Sequence, residues 1–330
     1  ADLAPLTGDH RRLVRAGLKT LGTEASRPSL RAMRRAAKIK ESAQLTARDI
    51  AFRFSPRLNA PGRLGAADLT LRFLMASSPK EAWALLEEIE NKNEERKVLT
   101  ELVTREALEQ AREVYGESPE RGVVVASDDW HRGVVGIAAA RLVDALRVPA
   151  VVIAFDGAHG HGSVRTTAGF DVYEALSRCA EDLSAWGGHR AAAGLSLEKG
   201  ALDAFRSSFS DAAPPGSFDN ASTTEVDVAL GGAFRVPTAQ DLQRLGPFGE
   251  GYPVPTFMAD AHVIEATGVG EGRTHGKLKL RVGQDSLRAF APGLFARIEG
   301  RESLRLVGEI QPDHWIGGEA VELLVKDVLD

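Results

Sequence analysis

Three short stretches carry residue types that can hold an anion. Ser163 and Arg165 stand two apart in "GSVR". On a strand that spacing puts both side chains on one face, and a hydroxyl beside a guanidinium is a good phosphate grip, since Arg donates two parallel hydrogen bonds. Gly187, Gly188 and His189 stand together in "AWGGHRAAAGLSL". Two residues without side chains let a ligand approach main-chain N–H groups, and the imidazole adds a donor. A helix beginning within residues 190–193 would add its positive N-terminal end, with Ala191, Ala192 and Ala193 packing it closely on a sheet. Trp130 and His131 precede Gly133, which opens a third phosphate-friendly helix end. The three would converge if they shared one edge of a sheet. Each also has a plain structural reading, as a helix entry with a satisfied histidine. If Gly188 needs no positive φ, Gly188→Ala is expected to weaken phosphate binding and spare the fold.

Other chemistries find little support. His159 and His161 form His-x-His, but no carboxylate or cysteine set nearby completes a metal site. The common glycine-rich nucleotide fingerprints and the Gly-x-Ser-x-Gly elbow are absent. Cys179 is the single cysteine, so no internal disulfide forms. It reads as a small apolar helix residue in a reducing, cytoplasmic setting.

The elements that must position these residues read as α/β. "GVVVAS" (122–127) and "AVVIAF" (150–155) are β-branched runs suited to buried strands. A helix lies between them at 133–146. Residues 160–165 read as another strand, 171–183 as a helix, "AGLSL" as a last strand and 198–212 as a helix. Upstream, 28–40 and 46–54 look helical, and "SPRLNAPGRLG" (55–65), with two prolines and two glycines, reads as a loop. From Ser78 to Gly116 the spacing is helical, with Ser78 as N-cap, Pro79 at the first position, Glu81 completing a capping box and Gly116 ending it. About 37 residues would span about 55 Å, which reads as a connector between domains. Beyond the linker "DAAPPGSFDNAS" come five or six short alternating strands and one helix near 238–245. They suggest a small OB-like barrel. Phe248, Tyr252, Phe257, Phe290 and Trp315 are its candidate stacking residues, each more often core packing.

The 330 residues allow two or three domains. No apolar run reaches the roughly 18 residues of a membrane span. Residues 1–63 hold 14 Lys/Arg and 5 Asp/Glu, a balance of +9 on a chain of net charge −5. Such a block suits a nucleic-acid-facing surface, or only a solvated helix face in "RPSLRAMRRAAKIK".

Several motifs together resemble one family. "WGGHRAAAGLSL" resembles the glycine-glycine-histidine signature of the DHH-associated domain. "WHRGVVGIAAARL", "GSVRTTAGFDVYEAL" and "SPRLNAPGRLG" are similar to motifs of the RecJ family of single-stranded-DNA-specific exonucleases. "LGPFGEGYPVPTF", "HGKLKLRV" and "LVGEIQPDHWIGGEAVELLVKDV" resemble its OB-like domain. The order agrees along nearly the whole chain. The resemblance implies four regions: 1–66, the tail of a DHH domain with a basic helical and loop region; 67–116, the connector helix; 117–213, a DHH-associated α/β domain with a mixed sheet; and 214–330, an OB-like nucleic-acid-binding domain.

The family's reaction is 5′-to-3′ hydrolysis of single-stranded DNA with Mn²⁺ or Mg²⁺, in DNA repair and recombination. Its Asp-His-His and Asp-x-Asp metal motifs are not in this sequence. Asp2 matches its last metal-binding aspartate, and one ligand does not hold two ions. The chain is therefore expected to be a piece lacking most of the catalytic domain, inactive alone. The resemblance implies that Ser163 and Arg165 hold the terminal phosphate. It puts Gly187, Gly188 and His189, with His189 as the catalytic candidate, at the scissile phosphate. His131 would add a phosphate contact, and Arg57, Asn59 and Arg63 would meet strand phosphates. Single-stranded DNA is the implied partner, with a single-strand-binding protein as a family-level expectation. A free-standing single-strand-binding or regulatory module, or another DHH-group phosphoesterase acting on small substrates, are the competing readings.

Overall fold

A computed structural model describes residues 4–23, 26–41, 45–216, 218, 225–231, 234–313, 316 and 319–329. Asp2 and Trp315 lie outside the described residues. Contacts group the chain into two units, one of Arg27–Ile39 and Arg53–Ser222, the other of Ala1–Ser26, Lys40–Phe52 and Thr223–Asp330. The basic block is thus divided between the units, and Arg34 of its middle helix is buried.

The N-terminal stretch forms α1 (Gly8–Leu21), α2 (Pro28–Ala36), α3 (Ala47–Asp49), a π-turn (Ile50–Phe54), α4 (Ser55–Arg63) and α5 (Ala67–Met75). The expected loop at 55–65 is therefore a helix. Pro56 occupies the first turn, where a missing N–H removes no helical bond. Pro61 lies inside, but its own carbonyl accepts from the Leu64 and Ala66 N–H groups at 3.0 and 2.8 Å and closes the turn.

α6 (Pro79–Tyr115) has the predicted ends. The Ser78 hydroxyl accepts from the Glu81 N–H at 3.2 Å. The Glu81 carboxylate turns to the Ser77 N–H at 3.0 Å, so the box is shifted by one residue. The helix packs on α2, α4 and α5, and further along on a sheet and its covering helix. It joins two parts of one unit rather than linking separate units.

That sheet comprises β1 (Val123–Ser127), β2 (Ala150–Asp156), β3 (His159–Arg165), β4 (Ala185–His189) and β5 (Ala192–Glu198), in the order β1-β2-β3-β5-β4. Only β1 and β2 pair in parallel. α7 (Val135–Leu146) lies against β2 and β3, while α8 (Val172–Arg178) contacts β4 and β5, and α9 (Leu202–Ala212) contacts β1. Val123–Val125, Val151–Ile153, Leu142, Phe205 and Phe209 fill the core. Cys179 caps α8, buried as expected, and burial pushes its thiol up to about 11. The edge strand β1 is closed by side chains of α6. The Gln110 amide donates to the Ala126 carbonyl at 3.1 Å and accepts from its N–H at 2.7 Å. The Tyr115 hydroxyl bonds the Val124 carbonyl and N–H at 3.1 Å each. Two alternate residues of an otherwise open edge are satisfied in this way.

The predicted helix at 190–193 does not form. Arg190 and Ala191 are the turn of a hairpin, β4 into β5. The alternation from Ala193 to Leu197, with Leu195 and Leu197 buried, outweighs the helix propensity of three alanines.

The other unit contains β6 (Val228–Leu230), α10 (Ala239–Leu245), β7 (Thr256–Val269), β8 (His275–Val282), β9 (Asp285–Ala291), β10 (Ser303–Pro312) and β11 (Val321–Leu329). The order β7-β8-β9-β11-β10 closes on itself because β10 also pairs with β7. With β9 and β11 parallel, this is a five-stranded OB-type barrel. β8 alternates strictly: Leu278, Leu280 and Val282 point in, and Lys277, Lys279 and Arg281 point out. Phe257 is core, as expected. Phe290 is not. It stands on the outer face of β9, in register with Lys277. Phe248 and Tyr252 stack on each other, and the Arg11 guanidinium covers Tyr252 at 4.2 Å, so they form no open platform.

Gly308 sits at the bulge where β10 switches register against β11. A Cβ there would lie 2.2 Å from the Leu324 carbonyl oxygen. Gly308→Ala is expected to destabilise the barrel by about 1–3 kcal/mol. Hydrogen exchange followed strand by strand should show protection lost in β7, β10 and β11 and kept in β1–β3.

Candidate functional site

The antiparallel register sets which side chains meet. Ser163 pairs with Gly194 and Gly194 with Gly187, while Arg165 pairs with Ala192 and Ala192 with His189. Cross-strand partners share a face. His161, Ser163 and Arg165 of β3, Ser196, Gly194 and Ala192 of β5, and Ala185, Gly187 and His189 of β4 therefore form one face. Two stretches far apart in the chain come together on it, as expected. β3 and β4 are separated by one strand, a distance of about 10 Å.

The grip itself is formed. Arg165 Nη1 donates to Ser163 Oγ at 3.0 Å and to the Val164 carbonyl at 2.7 Å. Burial first, and then the charge of Arg63, lower the Arg165 pKa from its ordinary value. The same two influences lower that of Arg96 on α6, with Arg141 adding repulsion and Glu94 opposing it. Arg63 is thus a positive charge felt by two other guanidinium groups, and an anion beside Arg165 would offset part of that repulsion.

The first turn of α7 leans over this grip. A Cβ at Gly136 would lie 3.0 Å from Ser163 Oγ and 3.2 Å from Arg165 Nη2. Glycine lets the positive end of a 12-residue helix approach the hydroxyl and guanidinium. The loop before it fixes Arg63. A Cβ at Gly133 would lie 2.0 Å from the Arg63 carbonyl oxygen, and Arg63 Nη1 donates to the Gly133 carbonyl at 3.3 Å. Together these residues line an open groove of about 480 Å³, with Arg63, Arg132, Ser163 and Arg165 on its walls and Gly194, Ser196 and His161 beside them.

The remaining predicted residues are placed differently. Gly187 and His189 are exposed on the shared face, outside the groove lining. Gly188 faces the other way. Its φ is +150°, and a Cβ would lie 2.5 Å from both the Ala192 carbonyl oxygen and the Ala193 Cα. The condition on the Gly188→Ala expectation therefore fails: this glycine is required by the hairpin. His131 is occupied locally, its Nδ1 accepting from the Gly133 N–H at 3.0 Å. Arg57 pairs with Glu90 at 2.5 Å and donates to the Arg53 carbonyl at 2.6 Å. Asn59 is exposed on α4, and neither it nor Arg57 lines the groove. Arg132, His161 and Ser196 were not singled out as phosphate ligands from the sequence. Alternation along β3 could have found His161, which is two residues from Ser163.

Among the described residues no three His, Cys, Asp or Glu side chains are placed to hold a metal. His159 Nδ1 is 2.8 Å from Glu198, and His161 Nδ1 is 3.3 Å from the Ser196 hydroxyl. The described residues do not make a metal centre. On the barrel, Lys277, Lys279 and Arg288 line a separate open groove of about 790 Å³ with Thr267, Glu265 and Asp285.

A mixed sheet carrying the Gly-Gly-His hairpin, followed in the chain by an OB barrel, defines a protein of the DHH-associated class. Residues 120–213 match the DHHA1 domain family and residues 231–327 the RecJ OB domain family. The single-stranded-DNA-specific exonuclease RecJ of Bacillus subtilis is 33% identical over 99% of this chain and 42% of its own length. That of Thermus thermophilus is 32% identical over 99% of this chain and 46% of its own. The crystal structure of Thermus thermophilus RecJ with Mg²⁺ superposes with a TM-score of 0.79 at 30% identity, covering all of this chain and 50% of that one. Its Mn²⁺ complex gives 0.78. The chain thus joins a DHHA1 domain to a RecJ OB domain, is similar to RecJ exonucleases along its whole length, and spans about half the length, or less, of these relatives.

The two neighbouring glycines separate by substitution. Gly188→Ala should lower the melting temperature, with a loss of about 1–3 kcal/mol from backbone overlap and strain. At Gly187 a Cβ meets nothing within 4 Å, so Gly187→Ala should stay within about 0.5 kcal/mol of the parent. Thermal unfolding of both variants decides; equal melting temperatures would contradict the assignment.

Proposed function

We propose that this chain supplies the strand-binding side of a RecJ-type, metal-dependent 5′-to-3′ single-stranded-DNA exonuclease acting in DNA repair and recombination. The observation that carries the reading is the groove in which Ser163, Arg165 and Arg63 converge beneath the first turn of α7. In this reading the groove takes the strand's terminal 5′-phosphate. Arg165 and Ser163 donate to its oxygens, and Arg63 and Arg132 supply the remaining charge. Gly187 and His189, on the same sheet face, meet the scissile phosphate. Gly187 leaves room for close approach, and His189 holds a donor at the leaving or attacking oxygen. Gly188 contributes only the hairpin geometry. His131 orients the loop that carries Arg132 and Gly133. Arg57, paired with Glu90, and Asn59 contact the strand only at its margin.

In the whole enzyme a bound Mg²⁺ or Mn²⁺ would supply the activated water, with ligands from outside the described residues. The barrel tracks the rest of the strand through the outer face of β8 and β9, where OB folds bind oligonucleotides. The residues there are Lys277, Lys279, Arg281, Arg288 and Phe290. Domain limits of 117–213 and 214–330 follow this division of labour. A single-strand-binding protein would be a partner of the whole enzyme.

Binding of 5′-phosphorylated and 5′-hydroxyl oligothymidylate is the test. Arg165→Ala should weaken the phosphorylated strand by about 1.5–3 kcal/mol and erase the preference for it. Arg63→Ala should reduce the slope of log affinity against log salt by about 1. Gly187→Ala, which preserves the fold, carries the ligand test that Gly188→Ala cannot. If all three variants bind phosphorylated strands as the parent does, the groove is not a phosphate site.

A further inference from the structure

We infer that the groove continues past the terminal-phosphate grip into a subsite of Arg63, Arg96 and Arg141, which takes the β- and γ-phosphates of a 5′-triphosphorylated strand end. It rests on the reading of Ser163, Arg165 and Arg63 as the seat of the first phosphate, and it leaves the scissile phosphate at Gly187 and His189.

The layout gives the direction. α7 lies against β2 and β3, and β4 stands beyond β5 on the other side of the grip. Arg63 ends α4, which packs on α6, and α6 packs in turn on α7. A strand that runs from β4 to the grip on β3 therefore reaches Arg63 with its 5′ end. Groups attached to that end lie on the side of α6 and α7, the helices that carry Arg96 and Arg141.

The guanidinium groups there have no counter-ion. Among the described residues, Arg63, Arg96, Arg132 and Arg141 form no ion pair. Arg63 donates only to the Gly133 carbonyl. Arg96 Nη2 donates to the neutral Asn93 Oδ1 at 2.8 Å, and its Nε is buried without a partner. The carboxylates beside it on α6 are turned elsewhere, Glu94 to Lys97 at 2.8 Å and Glu95 to Lys92 at 2.7 Å. Arg105 and Arg112 of the same helix, by contrast, stand beside Glu106 and Glu117.

Such a cluster repels itself. After burial, the charges of Arg63 and Arg141 lower the Arg96 pKa, with Glu94 opposing them. An anion among the three would offset part of that repulsion. A monophosphate held by Ser163 and Arg165 touches the cluster only at Arg63. Two further phosphates add charge and acceptor oxygens on the far side of Arg63, where the planar donors of Arg96 and Arg141 can use them.

Oligothymidylate with a 5′-monophosphate or a 5′-triphosphate is titrated into the full chain at fixed salt, with divalent ions chelated. The parent should bind the triphosphate end more tightly. Arg96→Ala and Arg141→Ala should each cut that preference by about 3- to 10-fold and leave the monophosphorylated strand unchanged. Arg141 is exposed, so its variant separates ligand binding from packing around the half-buried Arg96. Arg112→Ala removes the same charge about 24 Å further along α6 and should keep the parent's preference. Thymidine 5′-monophosphate and 5′-triphosphate form the free-nucleotide arm. The strand should gain from the added phosphates at least as much as the nucleotide does, and a gain confined to the nucleotide overturns the strand-end assignment. No preference in the parent, or the parent's preference kept in both Arg96→Ala and Arg141→Ala, overturns the subsite. Arg165→Ala separates this failure from that of the grip. If it weakens both strands while the other two variants keep the preference, only the subsite falls. If it weakens neither strand, the grip falls and the subsite with it.

Discussion

The register of β3 against β5 and of β5 against β4 is the constraint on which the site depends. A slip of one residue in either pairing would carry Ser163 and Arg165, or Gly187 and His189, to the opposite face. The buried face opposes such a slip. A Cβ at Gly160 would fall 2.7 Å from Phe155 and one at Gly162 the same distance from Leu195. Leu195 and Leu197 fill the space that the two glycines leave. Glycine on the packed side thus fixes polar side chains on the open side, and hydrophobic packing sets the geometry of an anion site on the opposite face of the sheet.

The long helix acts on the same sheet from the other edge. Through Gln110 and Tyr115 it satisfies main-chain groups of β1, and through Trp130, whose indole donates to Glu106 at 2.9 Å, it anchors the loop that leads to Arg132 and Gly133. It also carries Arg96 within electrostatic reach of Arg63. Helix, loop and groove are therefore one packed arrangement. β4, at the far edge, carries no such cover from α6 and leaves Gly187 to His189 exposed.

Much of this was legible in the sequence. Apolar β-branched runs located β1 and β2, capping residues located both ends of α6, and two-residue spacing located the Ser163–Arg165 grip. The closed barrel followed from its alternating strands. What was not legible depended on partners distant in sequence. "RAAAG" has local helix propensity, and only pairing with β3 makes Ala192 and Ala193 strand residues. Pro61 reads as a breaker until its neighbours are seen to satisfy the turn. Arg57 and His131 look like free donors in the sequence, whereas Glu90 and the Gly133 N–H engage them in the fold. Gly187 and Gly188 look equivalent, yet alternation makes one face solvent and the other face Ala193.

That last difference has a consequence for how this hairpin can vary among descendants of a common gene. At position 188 the neighbouring backbone alone excludes any side chain, so glycine there would persist even in a copy that had lost its ligand. At position 187 there is space for a side chain, so nothing in folding would retain glycine once binding was no longer selected. Drift at 187 with 188 intact would be the mark of a hairpin that still folds but has been released from its work.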